Sequence, residues 1–412
     1  MNTLEDLYKR TLQEAARNNG QVFGKNANSD QLDCLLHPER HPLVLKAEGC
    51  TCTPKQQENC AANCQFGAIT PHADKGGIAI DASKCLGCYA CIDACKAEKL
   101  TASRDILPVL DILRTHDGPV YALVAPAVAG QFGPQVTAGK LRTALKNLGF
   151  AGMIEVAIFA DILTLKEALE FNKNINSETD FQLTSCCCPM WIAMIKKLYN
   201  QLLPKVPGTV SPMIAGGRTV KALYPNAKTV FIGPCLAKKA ERREPDIADA
   251  IDYVITYQEL RDVFEAYNVD LVNLNETVRE HSSRAGIIYA FAGGVSEAVK
   301  QTVEKLNPDR RIAIKTRMAD GVPACKAMIN DILAGHREGN FFEGMGCVGG
   351  CVGGPKAIIK KEEGKANVLA YGNQAHWATP MENEYVIELL NKLGFNTVEE
   401  FLEKSDMFNR KF

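Results

Sequence analysis

The sequence predicts an α/β fold with mainly parallel sheets, preceded by a short cysteine-rich module of different texture. Three observations predict it. From about residue 110 onward, short apolar runs alternate with amphipathic stretches, the pattern of strands and helices in open parallel sheets. Residues 46–105 instead carry eight cysteines in glycine-punctuated segments with too little apolar length for an ordinary core. The 412 residues suffice for two or three domains, one of them with a large core.

Taken in order, residues 1–45 read as a helix over Met1 to Arg17 and a polar connection, with Asn and Asp around Lys25 to Asp30 as loop signals. In the longer part, the runs PVYALVAPAV from Pro119, MIEVAIF from Met153, KTVFIGPC from Lys228, AGIIYAF from Ala285 and RIAIK from Arg311 read as buried strands. The stretches WIAMIKKLYNQLL from Trp191, QELRDVFEAY from Gln258 and NEYVIELLNKL from Asn383 read as helices. No repeat or low-complexity tract interrupts them.

Net charge is −1, from 47 basic and 48 acidic side chains, so nothing favours nucleic acid or an anionic membrane as partner. The amino-terminal stretch lacks the apolar core of a signal peptide, and no apolar run approaches the roughly 18 residues that span a bilayer. A cytoplasmic protein is expected. Sixteen cysteines are the outlying number. Disulfide frameworks belong to small secreted chains, and clustered cysteines in a reducing compartment read as metal ligands.

The densest cluster is Cys85-Leu-Gly-Cys88-Tyr-Ala-Cys91-Ile-Asp-Ala-Cys95, the C-x2-C-x2-C-x3-C spacing of bacterial ferredoxins. Upstream, Cys60 and Cys64 match the closing part of a second such motif, with Gln65 where proline is usual. Cys50 and Cys52 depart from its opening part. We assign one 4Fe–4S cluster to Cys50, Cys52, Cys60 and Cys95, and another to Cys85, Cys88, Cys91 and Cys64, although the insertion between Cys52 and Cys60 could also let Cys64 stay local. Zinc prefers two well-separated ligand pairs and suits this pattern poorly.

Three further segments each end an apolar run in a loop, where α/β folds build their sites: TSCCCPMW from Thr184, GPCLAKKAE from Gly233 and EGMGCVGGCVGGP from Glu343. They bring at least four thiolates, a Lys–Lys pair and a glycine-rich turn that lets backbone approach a bulky inorganic centre. A third iron–sulfur centre follows from the residues alone. Its task does not.

These three segments resemble the signature motifs of FeFe (iron-only) hydrogenases, and VAPAVAGQFG from Val124 is similar to that family's segment beside the di-iron site. The resemblance covers about residues 46–360. The tripled cysteine and the Gly-Pro-Cys variant look like the group B branch of the family. It implies a two-cluster ferredoxin-like α+β domain over 46–105, after an N-terminal helix and connection over 1–45. A two-lobed α/β catalytic domain over 106–412 would bury an H-cluster: a 4Fe–4S cubane bridged to a di-iron unit with CO, cyanide and a dithiolate.

The resemblance also implies roles. Cys188, Cys235, Cys347 and Cys351 would hold the cubane, with Cys351 bridging to the di-iron unit. Aligning on the Cys-Pro-x-Trp end makes Cys188 the ligand and Cys187 the proton-carrying thiol. Aligning on Thr-Ser-Cys-Cys moves both back by one. Pro189 and Trp191 open the following helix, which favours the first. Lys238 matches a lysine that donates to a cyanide, Glu241 the glutamate that pairs with it, and Met345 a thioether near the di-iron unit. Ala125, Pro126, Ala127, Met213, Gly233 and Pro234 would flank the cofactor. Gly233 stands where methionine is usual and is expected to loosen the pocket; Ala127 replaces a serine and Met213 a glutamine. Glu167 and Glu170 fall where proton-relay glutamates do, but the relay serine between them aligns near Pro207, which has no exchangeable proton. The implied activity is reversible H2 formation and oxidation, with ferredoxin or a similar redox protein as partner and maturation enzymes to install the di-iron unit.

Blander readings stand beside these. Buried cysteines are usually small hydrophobes, the expectation for Cys34 and Cys325. Cys186 is expected as packing beside the ligands. Glu167 and Glu170 could be solvated surface carboxylates, and Met345 core filler. His37, His41, His72, His116 and His376 receive no role. A hydrogen sensor with weak turnover, or a hydrogenase-like iron–sulfur assembly protein, are the rival functions.

Overall fold

The computed structural model describes residues 4–18, 20–21, 29–47, 52–71, 77–184, 187–403 and 406–412. Two parallel sheets organise the larger part of the chain. The first has four strands in the order β6-β5-β8-β9: β5 (Val120–Val124), β6 (Gly152–Glu155), β8 (Lys228–Gly233) and β9 (Tyr253–Thr256). Its register sets Val124 beside Ile232 and Ile232 beside Ile255. The second has β10 (Thr316–Asp320), β11 (Phe341–Met345) and β7 (Gln182–Leu183), with β11 central and both pairings parallel. The central strands β5, β8 and β11 are near-continuous apolar runs because helices cover both faces. The three sheet-end loops singled out in the sequence leave β7, β8 and β11 at their carboxyl ends.

The cysteine-rich segment folds as two small antiparallel ribbons. The strand β1 (Val44–Lys46) pairs with β4 (Leu100–Ala102), and β2 (Ile69–Pro71) pairs with β3 (Ile78–Ile80). A helix, Pro54–Ala62, opens on a capping box in which Thr53 and Gln56 satisfy each other's backbone. Val44, Ile69, Ile78, Cys91 and Leu100 form a core separate from the main one, with Cys60, Cys64, Cys85 and Cys95 packed against it. The first strand starts at Val44, two residues ahead of the expected module boundary.

Two of the differences from expectation share one physical origin. The run from Met153 is strand only to Glu155; the helix Ala157–Asn174 follows at once and is buried on most of its surface. A helix apolar on all sides loses its 3.6-residue signature and reads like a buried strand. The run from Ala285 is likewise helical: Arg284–Ile287 is α-helix and Ile288–Ala290 continues as a 3-10 turn. The run from Arg311 is irregular, and the strand begins after it, at Thr316. The sequence reading did not single out β9 or β7 at all. Ser29 and Asp30, read as loop, begin a second amino-terminal helix, Ser29–Leu36. Beyond residue 360 the chain is helical, with Lys361–Gly372, Glu384–Lys392 and Val398–Glu403. Among the described residues no helix is long and apolar enough to cross a membrane.

Candidate functional site

A single cavity opens where β5, β8 and β11 end. Ala125 and Pro126 reach it from β5, Lys238 from the turn after β8, and Met345 from the end of β11. Cys187, Met213 and Cys351 complete the part of its wall that the sequence singled out. Phe231, Val156, Ala160, Tyr289 and Ala290 also line it and went unnoticed in the sequence. Tyr289 escaped because its segment was read as a strand, whereas the 3-10 turn carries its ring to the cavity.

Each motif positions its thiols by a distinct local device. Cys188 is the N-cap residue of the helix Pro189–Leu198, with Pro189 fixing the first turn, and the Gly346 amide donates to its Sγ at 3.2 Å. The glycines of the Glu343–Cys347 segment permit close packing: a Cβ on Gly344 would lie 2.0 Å from the Trp191 ring, and one on Gly346 would lie 2.2 Å from Met190. Glu343 itself does not face the cavity. Its buried carboxylate accepts from the amides of Gly293 at 2.8 Å and Ser296 at 2.7 Å, capping the helix Gly294–Leu306. Pro234 turns the chain after β8, and its carbonyl accepts the Lys356 amide at 3.0 Å, tying the Cys235 loop to the Cys351 loop.

The lysine pair divides. Lys238 donates to Glu241 at 2.6 Å, both side chains nearly out of solvent, and its ammonium faces the cavity. Burial pulls that ammonium down, but Glu241 and then the thiols of Cys235 and Cys351 carry it above the ordinary lysine range. Lys239 points the other way, one residue and about 100° on along the helix. It is fully buried against Asp105 at 3.1 Å, Glu259 at 3.2 Å and the Ser103 carbonyl.

The thiols near the cavity share one electrostatic environment. Burial first, then neighbouring thiols, pushes Cys235 to about 11 and Cys351 to about 12. Cys347 is raised well above the usual thiol range by burial and then by Cys235, Cys188 and Cys351. Cys187 is raised as well, by burial, Cys188, Glu343 and Glu167. Four buried thiols crowded this way cannot all ionise unless a cationic centre sits among them. Among the described residues, no three His, Cys, Asp or Glu groups close on a single metal ion. Cys188, Cys235, Cys347 and Cys351 lie within electrostatic reach of one another, and Cys188 accepts a backbone N–H, features that fit a multinuclear iron–sulfur group better than a lone ion.

In the smaller module, Cys64, Cys85, Cys88 and Cys91 line one cavity together with Val44 and Phe66. Burial and the three other thiols push Cys91 to about 12, and the Ala68 amide donates to Cys64 Sγ at 3.1 Å. Cys52, Cys60 and Cys95 lie outside that cavity; the Lys99 amide donates to Cys95 Sγ at 3.4 Å. Cys50 and Cys186 lie outside the described residues, as does His72. The two sites adjoin. A Cβ on Gly87, in the Cys85–Cys88 loop, would lie 3.1 Å from the Leu236 side chain beside Cys235, and Cys88 is within electrostatic reach of Cys347.

Other sequence-selected residues sort as follows. Ala127 is fully buried but off the cavity wall. Gly233 does not loosen the pocket, because a neighbouring ring takes the space: its Cβ would lie 2.7 Å from the Phe231 ring, which lines the cavity. Glu167 is 2% exposed, so it is no surface carboxylate. Glu170 pairs with the buried Lys166 at 2.7 Å and receives a hydrogen bond from Thr209 Oγ1 at 3.5 Å. Thr209, two residues beyond Pro207, supplies the hydroxyl that the alignment lacked. Cys325 is a packed thiol as expected, fully buried and touching the Ala319 and Met345 carbonyls. Cys34 is not packed in a core; its Sγ lies 3.5 Å from His41 Nδ1, and His41 Nε2 lies 2.7 Å from Asp33.

A family model described as the C-terminal domain of the iron-only hydrogenase large subunit matches residues 118–355. The chain is 28% identical over 369 residues to the NADP-reducing hydrogenase subunit HndD of Solidesulfovibrio fructosivorans, covering 75% of this chain and 63% of that protein. It is 27% identical over 321 residues to iron hydrogenase 1 of Clostridium pasteurianum, covering 65% of this chain and 56% of that one. The chain therefore spans about three fifths of the length of these relatives. Among solved structures, an FeFe-hydrogenase from a study of oxygen inactivation superposes with a TM-score of 0.62 at 21% identity, covering 74% of this chain and 98% of the other. A Chlamydomonas reinhardtii FeFe-hydrogenase superposes with a TM-score of 0.59 at 21% identity, covering 73% and 95%. The fold is shared with both.

Proposed function

The chain belongs to the iron-only hydrogenase family, and from that premise we propose that it interconverts H2 with two protons and two electrons. The observation that carries the proposal is the single cavity in which Cys187, Lys238, Met345, Met213 and Cys351 meet from separate segments of the chain. In this reading Cys188, Cys235, Cys347 and Cys351 hold the cubane of an H-cluster. Cys64, Cys85, Cys88 and Cys91 hold one 4Fe–4S cluster, and Cys50, Cys52, Cys60 and Cys95 a second. When bound, the H-cluster supplies the redox-active iron site at which H2 is split or formed.

The chain's own residues do the rest. Lys238, held as an ammonium by Glu241, offers N–H groups to an anionic ligand in the cavity, in surroundings where such a bond is strong. Cys187 on the cavity wall gives and takes a proton, a general acid–base task. Glu167 and Glu170 lie one helical turn apart on the helix Ala157–Asn174, and Thr209 and Lys166 hold the outer carboxylate. They carry the proton outward. Electrons pass through the smaller module, whose Cys88 side abuts the Cys235 and Cys347 loops.

We take the chain as a helical amino-terminal segment over 1–45, a two-cluster ferredoxin-like module over 46–105 and a catalytic domain over 106–412. A ferredoxin or similar redox protein as partner, dependence on maturation enzymes and a cytoplasmic setting belong to the same proposal. The test is an infrared spectrum of protein co-expressed with maturation enzymes, recorded under H2 and under CO. Bands of metal-bound CO and cyanide that shift between the gases, with H2 turnover, are expected. Their absence would refute the proposal and favour an iron–sulfur assembly protein; bands with negligible turnover would favour a sensor.

A further inference from the structure

Along the helix Ala157–Asn174, the positions 156, 160, 164 and 167 are spaced by four, four and three residues and share one face. Val156, its N-cap residue, and Ala160 line the cavity. Thr164 and Glu167 continue the same stripe away from it, both buried. Tyr289 also lines the cavity, and its hydroxyl meets Thr164 Oγ1 at 2.8 Å. The same Oγ1 lies 2.7 Å from the Ala160 carbonyl. A hydroxyl carries one proton, so Thr164 cannot donate in both directions. If Thr164 donates to Ala160, Tyr289 must donate to Thr164. If Thr164 donates to Tyr289, the tyrosine proton is free to point elsewhere. Two proton arrangements therefore fit one set of heavy-atom positions, and a hydroxyl pair of that kind can pass a proton through by turning over.

We propose that Tyr289 and Thr164 form a proton-relay step connecting the cavity beside Cys187 to Glu167. The proposal rests on the hydrogenase reading and deepens it. In the inward direction the Glu167 carboxyl O–H breaks and its proton goes to Thr164 Oγ1, leaving the electron pair on the carboxylate. The former Thr164 proton passes to Tyr289 Oη, and the former Tyr289 proton passes to the basic group that occupies the cavity beside Cys187. Water bridges whichever gap exceeds a direct hydrogen bond. Each hydroxyl ends with one proton, and no charge is left on either. Burial, then the Glu167 charge, raises the phenol well above its ordinary range, so it passes protons as a neutral group and does not store a phenolate.

The test uses the matured holoenzyme. Tyr289→Phe keeps the ring on the cavity wall, Thr164→Val keeps the branched shape, and Thr164→Ser restores a hydroxyl. Three measurements are made on each: the CO and cyanide bands, H2 turnover with its KM, and the carboxylic C=O stretch of Glu167 in reduction difference spectra. Glu167→Gln identifies that stretch. Expected are unchanged cofactor bands, turnover lowered about 10- to 100-fold at constant KM, a shifted or lost Glu167 stretch, and recovery in Thr164→Ser. Tyr289→Phe with wild-type turnover and an unmoved Glu167 stretch would overturn the relay while leaving the hydrogenase reading intact. Wild-type protein without CO and cyanide bands would overturn that reading first, and the relay with it.

Discussion

Replacing Lys239 with methionine removes a cation that faces both Asp105 and Glu259 within a fully buried site. Its ammonium contacts Asp105 Oδ1 at 3.1 Å, both Glu259 oxygens at 3.2 Å and the Ser103 carbonyl at 3.1 Å. Asp105 would keep Arg242 at 3.2 Å and the Val254 amide at 3.3 Å. Glu259 would keep only the amides of Asp105 at 2.7 Å and Thr256 at 2.8 Å. Breaking a buried ion pair by removing one partner costs roughly 3–5 kcal/mol, because the other charge stays behind uncompensated. The surviving amides moderate this, so we expect a loss of about 4 kcal/mol. Unfolding entropy near 2.1 cal/mol/K per residue makes that about a 5 °C fall in the transition temperature of a chain this long. Calorimetry of holoenzyme is the assay, with limited proteolysis to show whether the segment around Ser103 opens first. Lys392→Met, at an exposed lysine paired only with Glu388 one turn away, serves as the control and should leave the transition close to wild type. A Lys239→Met transition within about 1 °C of wild type would show that the network carries little stability.

Three other outcomes are expected. Cys187→Ala should cripple turnover while the infrared bands of the bound cofactor persist; undiminished activity would remove the thiol from the proton route. Gly233→Met should overpack the wall beside Phe231 and cost about 1–3 kcal/mol, recovered in large part by adding Phe231→Ala, as thermal unfolding of the single and double variants can check. Asp161 is fully buried among Ser283 and Asn383, and desolvation raises its carboxyl to about 6 from the ordinary 3.8. The folded state then binds the proton more tightly than the unfolded one. Its contribution is fully present below pH 4 or so and lost as pH rises through about 6, worth about 3 kcal/mol in all. Denaturant unfolding at pH 5, 6 and 7 should show part of that rise on acidification, and Asp161→Asn should flatten it.

What the sequence made legible was chemistry more than geometry. Cysteine spacing and strand-end loops located every thiol on the cavity wall, because ligand types and turn glycines leave local marks. The helices buried on all sides left none. Ala157–Asn174 opens on an apolar run continuous with the strand before it, and the turn carrying Tyr289 lies in another such run, so periodicity could not distinguish either from a strand, and Tyr289 was lost with its helix. Phe231 and Thr209 were missed for a different reason. Phe231 fills space that Gly233 was expected to leave open, and Thr209 brings a hydroxyl to Glu170 near Pro207, which has no exchangeable proton; such compensation depends on contacts between residues that alignment treats one at a time.

The helix Ala237–Glu241 shows why module docking and cavity chemistry are coupled. From its one short turn, Lys238 faces the cavity with Glu241 paired to it, while Lys239 enters the buried network with Asp105, just beyond β4 of the smaller module. Immediately after it, Arg242 also grips Asp105, and Arg243 donates to the carbonyls of His41 and Pro38 in the amino-terminal segment. Arg410 pairs with the next residue, Glu244, and with Asp246, both by way of the carboxyl-terminal end. One stretch of eight residues, 237–244, thus touches the cavity, the cysteine module and both ends of the chain. A helix this short has little stability of its own, so its placement comes from these partners. Loosening any of them moves Lys238 as well. A Lys239→Met variant should therefore broaden or shift the cyanide bands even though Lys239 never reaches the cavity, whereas a surface substitution such as Lys392→Met should not.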